Sequence, residues 1–302
     1  MSVTLVDMTV GEQSSAAPAS VLHQPILELV DWATAELAQR GIRVIGQVEE
    51  ARRRDWSLLV RIPTSAGQVW AKSTAAAFAH EVRLVETLDR LCPGSVLTPL
   101  AVHRGNGWLL SPDGGPSLEE ASPGGVVPSG WSGVLRWYAT LQQRLTDHVG
   151  ELRTTGTPYL PPSQLISVYR HFEERVPGLG PAIEAAAAEL EQYGRLTLEH
   201  NDLRPAHVFA SSTAFFDWGD AVLTHPFLSV RLFADPLRED YFDIWRRIGV
   251  VTSTELVLAQ RLSPLVALRP WLAIDMAPGS YGERFTTVVD GLLDQLRAGF
   301  GS

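Results

Sequence analysis

The chain has 302 residues, 45% of them hydrophobic and 20% charged, with a formal net charge of −9. This is the composition of a folded protein, long enough for one large domain or two lobes, and its acidic balance argues against nucleic acid as a partner. The single cysteine, Cys92, excludes an internal disulfide and a cysteine-built zinc cluster and suits a reducing cytoplasm, and no run of 18 apolar residues marks a membrane span.

Residues 1–20 lack the basic-then-apolar order of a signal peptide. Their Gly, Ser, Ala and Pro content predicts a mobile arm over 1–22. Apolar positions at helical spacing predict a helix over 25–39, stopped at Gly41. A short strand is expected over 43–48. A hairpin follows, with strands over 56–62 and 68–72 around the turn Thr64-Ser-Ala-Gly67. A helix over 75–91 ends at Cys92-Pro-Gly94, and two short strands over 96–102 and 107–111 lead to Pro112-Asp-Gly-Gly-Pro116, the strongest break in the chain. Helices then dominate: 129–145, 164–175, 181–193, 231–237, 240–249, 252–262, 264–273 and 284–298. The expected fold is α+β and bilobal, with an antiparallel-sheet lobe over 23–113 and a mostly helical lobe over 114–302.

The most informative stretch is Leu198-Glu-His-Asn-Asp-Leu-Arg-Pro-Ala-His-Val-Phe-Ala210, followed by Ala214-Phe-Phe-Asp-Trp-Gly-Asp-Ala221. It sets Asp202 on a loop and Asp217 at the end of an apolar run, with His200, Arg204 and His207 nearby. Three chemistries use such a pair of acids: phosphoryl transfer, metal-dependent hydrolysis with histidine ligands, and general acid–base catalysis without a metal. Neither GxxxxGK[ST] nor G-x-S-x-G occurs. Lys72 alternates with Trp70 on its strand. A lysine among apolar residues needs a partner, and Glu81 and Glu86 of the next helix compete for that place on different helical faces.

In this order the pieces resemble the aminoglycoside phosphotransferase family, small-molecule kinases with a protein-kinase-like fold. The resemblance rests on His200-x-Asp202, on Asp217-Trp-Gly-Asp220, on Lys72 with Glu81, and on Gly107–Gly115 running into an interlobe hinge, and it covers about 44–232. It implies a bilobal fold and transfer of the γ-phosphate of ATP or GTP to a small-molecule hydroxyl in a cytoplasmic enzyme, with neither nucleic acid nor membrane as partner. It assigns Asp202 to the acceptor hydroxyl, Asp217 to Mg²⁺, Lys72 to the phosphates with Glu81 as its ion-pair partner, His200 to bracing the loop, and Leu109, Leu110 and Ser111 to the nucleotide. Two positions depart from the family. His207 stands where an asparagine supplies the second metal contact, and imidazole suits Mn²⁺ better than Mg²⁺. The phosphate-covering segment 49–55 has no glycine, leaving Arg52, Arg53 and Arg54 to contact phosphate or to form an exposed basic turn. A pseudokinase that binds nucleotide without turnover, and a metallohydrolase built on His200, Asp202, His207, Asp217 and His225, are the competing readings. Asp235, Glu239, Asp240 and Asp243 either face an amine-bearing acceptor or form a solvated helix face.

Overall fold

The N-terminal helix α1 (Ile26–Gln39) buries Leu29, Val30, Ala33 and Leu37, a stripe at helical spacing that packs on a five-stranded antiparallel sheet. The computed structural model describes residues 26–122, 130–233, 237–274 and 280–301, without the side chains of 280–284. The arm expected over 1–22 lies outside them.

The sheet runs β1 (Glu49–Arg54), β2 (Ser57–Thr64), β3 (Gly67–Thr74), β4 (Ala101–His103) and β5 (Trp108–Pro112), in the spatial order β1-β2-β3-β5-β4. The two-residue period of its strands divides it into two faces. Leu58, Val60, Ile62, Val69, Ala71, Trp108 and Leu110 turn toward α1 and form one closed core. Leu59, Lys72 and Leu109 are direct neighbours across β2, β3 and β5, and with Trp70 and Ser111 they line a cavity on the opposite face. Helix α2 (His80–Leu91) follows β3 after a short 3₁₀ turn.

The rest of the chain is mostly helical. It comprises α3 (Trp131–Leu145), α4 (Val149–Thr154), α5 (Leu165–Arg170), α6 (Gly180–Glu191), a two-stranded ribbon of β6 (Thr197–Glu199) and β7 (Val222–Thr224), then α7 (Leu237–Arg246), α8 (Ser253–Leu272) and α9 (Ser280–Phe300). A second core joins these helices, centred on Trp218, Trp245, Tyr138, Tyr169 and Tyr241. The architecture is thus bilobal, a small antiparallel-sheet lobe on a helical one. No helix among the described residues is long and apolar enough to cross a membrane.

Three expectations need correction. The strand predicted over 43–48 is reduced to a single bridge, Val44 to Thr64, and the arginine-bearing stretch after it forms β1 instead. As an edge strand with every position solvent-facing or half-buried, β1 shows no apolar alternation to read. The strand predicted over 96–102 survives only as β4. The helices predicted over 252–262 and 264–273 are one helix, α8, which runs through Pro264 and Pro270. A proline inside a helix frees the carbonyl four residues earlier. Here the Gln260 carbonyl freed by Pro264 accepts the Ser263 hydroxyl at 2.9 Å. The Val266 carbonyl freed by Pro270 accepts the Asn201 side-chain amide at 3.1 Å, from a loop 65 residues away in sequence.

Candidate active site

Lys72 leaves β3 on the cavity face and its ammonium is held from two sides, 2.7 Å from Glu81 Oε1 and 2.6 Å from Asp217 Oδ1. Glu81 is buried on the first turn of α2 and also accepts the Trp218 backbone N–H at 3.1 Å, so α2 is pinned to the segment that carries Asp217. Glu86 faces solvent and pairs with Arg104. Burial alone would lower the Lys72 pKa, but the carboxylates of Asp217 and Glu81 raise it well above the ordinary lysine value. Burial would likewise raise Asp217, yet Lys72 foremost, with His207 and Arg52, holds its carboxyl well below the usual carboxylate range.

Asp217 sits at φ 62° and Asn201 at φ 65°, in the left-handed region that aspartate and asparagine tolerate better than other side chains. Among the described residues, two of the three non-glycine residues in that region therefore flank one site, where stored backbone strain is commonly found. The Asn201 bend is clamped by its bond to the Val266 carbonyl and by Arg231, which donates to the Asn201 carbonyl at 3.3 Å. Behind the loop, buried Glu199 accepts the Tyr138 hydroxyl at 2.5 Å and the Gln142 amide at 3.1 Å, and Tyr138 accepts the His200 N–H at 2.7 Å. None of these braces was foreseen from the sequence. The one local signal is an acid, Glu199, closing the short buried strand β6, which burial raises to about 7 despite its hydrogen bonds.

His200 is fully buried and its Nε2 donates to the Phe216 carbonyl at 3.0 Å, tying the Asp202 loop to the residue before Asp217. His207 bonds through Nδ1 to the backbone carbonyl of Asp202 at 2.7 Å. A carbonyl only accepts, so Nδ1 carries the proton and Nε2 faces the site, 3.7 Å from Asp217 Oδ2. Asp202 is partly exposed and accepts from Arg204 at 2.9 Å. Arg52 reaches within 3.9 Å of Asp217 Oδ2, aimed by an irregularity in the β1–β2 register between Glu50 and Arg52. Arg53 turns outward to Glu50.

Two cavities meet at this cluster. One, of about 490 Å³, runs under the sheet from Lys72 past Leu109 and Ser111 to Gly115. Its far wall is the stacked pair Phe209 and Phe216, with ring centroids 4.3 Å apart, and any side chain at Gly114 would strike Phe209 at 2.5 Å. The other, of about 500 Å³, opens toward α8 and α9. Lys72, Glu81, Asp217, His207, Arg52 and Arg204 line both, whereas Asp202 lines only the second. Leu110 is a correction: strand alternation turns its side chain into the α1 core, and its carbonyl is taken by the Leu100 N–H at 2.8 Å, so it faces neither cavity.

A divalent cation fits this donor set. Lys72 occupies Asp217 Oδ1, Oδ2 makes only the longer contacts to Arg52 and His207, and His207 Nε2 lies beside it as a second donor. A magnesium ion that keeps waters and phosphate oxygens needs only one or two protein carboxylates. No group of three or more metal-binding side chains occurs among the described residues, and His225 is buried elsewhere against Glu255 Oε1 at 3.2 Å. The five-residue metallohydrolase site is therefore not assembled.

The buried histidines give a pH signature. Burial, helped by His207, pulls His200 from 6.5 to about 4, and burial, helped by Arg269, does the same to His80. Each takes up a proton on unfolding, so each favours the fold fully above pH 6.5 and loses that contribution as pH falls to about 4. Glu199 and Asp220, both raised to about 7 chiefly by burial, act in the opposite sense. The Tm of the wild type is thus a balance, but its lead over His200→Gln is expected to shrink as pH falls from 6.5 toward 4. A lead that widens on acidification contradicts this.

No family model matches the sequence and no curated protein matches it significantly. Solved structures do. The GDP and kanamycin complex of APH(2″)-IIia aligns with a TM-score of 0.60 at 16% identity, covering 89% of this chain and 99% of that one. Choline kinase LicA from Streptococcus pneumoniae aligns at 0.58 and 15%, covering 88% and 99%, and macrolide 2′-phosphotransferase type I at 0.56 and 15%, covering 90% and 95%. The chain folds as these small-molecule phosphotransferases do.

Proposed function

We propose that this chain is a small-molecule kinase of the aminoglycoside phosphotransferase type, with a nucleotide-binding lobe over 23–113 and a catalytic lobe over 114–302. The observation that carries the reading is the meeting of two cavities at Lys72, Asp217 and His207, with Asp202 on one side only. A nucleoside triphosphate bound beneath the sheet has its base near Leu109, Ser111 and the hinge and its phosphates at Lys72. Arg52 replaces the backbone cradle of a glycine-rich loop with a guanidinium, which matches phosphate oxygens in pairs. Asp217, with His207 beside it, would hold Mg²⁺ or Mn²⁺, and the bound metal supplies neutralisation of phosphate charge. The acceptor hydroxyl lies in the second cavity at Asp202, which orients it and takes its proton. The similar structures include a GDP and kanamycin complex, a macrolide phosphotransferase and a choline kinase, which supports a nucleotide co-substrate and a hydroxyl acceptor without choosing among them. Phosphoryl transfer asks the protein mainly for position and charge, and this constellation offers both.

The test is release of label from γ-labelled ATP and GTP with Mg²⁺ or Mn²⁺, with water or added alcohols as acceptor. Metal-dependent release from at least one nucleotide is expected. Nucleotide binding without any release is the pseudokinase outcome, and no binding to any nucleotide–metal pair ends the reading.

A further inference from the structure

The Asp202 cavity has its own chemistry. Its outer wall is an aromatic arc: Trp56 from the β1–β2 turn meets Trp271 of α8 at 6.4 Å between ring centroids, and Trp271 meets Phe285 of α9 at 5.5 Å. Pro270, Val288 and Leu292 continue this apolar surface toward the floor. The volume of about 500 Å³ lies within the range of sites that enclose drug-sized ligands.

The charges of this cavity are already matched. Of its four carboxylates, Glu81 and Asp217 share Lys72. Asp202 takes Arg204 at 2.9 Å. Asp220 lies in the field of buried Arg231 and Arg269, with its ionisation suppressed by burial and by Asp202 and Asp217. Helix α7 adds none: Glu239 and Asp243 are held by Arg246, and Asp240 by Ser132 and Arg136, while Asp235 lies outside the described residues. Among the described residues, no surplus of negative charge remains for the several ammonium groups of an amino sugar. A lone quaternary ammonium alcohol would leave most of the volume empty beside Arg52 and Arg54.

We infer that the acceptor is a neutral alcohol with an apolar or aromatic ring body, its hydroxyl at Asp202 and its body against Trp271 and Phe285. This rests on the kinase reading above. In the transfer, the acceptor oxygen forms a bond to the γ-phosphorus, the bond from that phosphorus to the β–γ bridging oxygen breaks, the nucleoside diphosphate leaves, and the hydroxyl proton passes to Asp202.

The test is calorimetric binding to the full chain, with Mg²⁺ and a non-hydrolysable nucleotide present, of 2-naphthyl β-glucoside, quercetin, erythronolide B, kanamycin and choline. At least one of the three neutral compounds is expected to bind more tightly than kanamycin and choline. Trp271→Ala is expected to weaken it about tenfold or more, the scale of a buried aromatic anchor, and Trp271→Phe to restore most of it. Preference for kanamycin or choline, failure of all three neutral compounds at millimolar concentration, or indifference to Trp271→Ala in a variant that melts like the wild type overturns the inference. The kinase reading fails separately: if the nucleotide does not bind while a neutral alcohol does, the pocket assignment stands and the phosphotransfer does not.

Discussion

Asp217→Asn is expected to remove the rise in Tm that metal–nucleotide gives the wild type and to cut turnover by at least about a hundredfold, the usual cost of losing one electrostatic stabiliser of a transition state. Asparagine is the informative replacement because residue 217 sits at φ 62°, which asparagine tolerates and alanine resists. A loss in the Asn variant therefore reports charge rather than backbone repair. The apo protein should lose some Tm, because Lys72 foremost favours the charged Asp217 carboxylate in the fold, but Lys72 keeps Glu81 at 2.7 Å and is not left as an unpaired buried charge. At nucleotide concentrations near one hundred times Kd, the wild type gains roughly 2.7 kcal/mol from the ligand and the variant should gain almost none. Differential scanning fluorimetry with and without Mg²⁺ or Mn²⁺ reads the difference. Undiminished nucleotide stabilisation in the variant would remove Asp217 from the metal role. His207 gives this prediction a second edge. With Nδ1 committed to the Asp202 carbonyl, Nε2 is the only nitrogen left to a metal, so Mn²⁺ should support binding at lower concentration than Mg²⁺.

Asp202→Asn is expected to separate chemistry from binding. Asp202 lines the cavity that opens toward α8 and α9 and not the one beneath the sheet, so nucleotide affinity should stay within a few-fold of wild type. Turnover should fall by about 10²–10⁴, the range for losing a positioned general base. Stability should scarcely move, since the Arg204 pair is half-exposed and such pairs contribute roughly 0–1 kcal/mol. Calorimetry gives the affinity and γ-label release gives the turnover. A parallel fall in both would make Asp202 a loop-shaping residue instead.

The residues that meet at the site were legible where chemistry and spacing coincide locally. A lysine on a strand, a glutamate on the next helix and two aspartates around a short apolar run can each be seen in a window of a few residues. What was not legible depends on distance in sequence. Nothing near Asn201 announces that its amide will meet a carbonyl freed by Pro270, and the same proline looked like the end region of a separate helix. Trp56, Trp271 and Phe285 come from three distant segments, so the aromatic arc exists only in the fold. Strand β1 was hidden because an exposed edge strand needs no apolar alternation. Leu110 lies between Leu109 and Ser111 in sequence, but alternate residues of a strand face opposite sides, so it leaves the cavity that they line.

The measurement that bears most directly on the central claim is a crystal structure of the chain with Mg²⁺ or Mn²⁺ and a non-hydrolysable nucleoside triphosphate. The expected result has the base between the hinge and Phe216, the phosphates at Lys72 and Arg52, the metal on Asp217, and the γ-phosphate turned toward the cavity that holds Asp202. A nucleotide lodged elsewhere, or one whose γ-phosphate points away from Asp202, would contradict it.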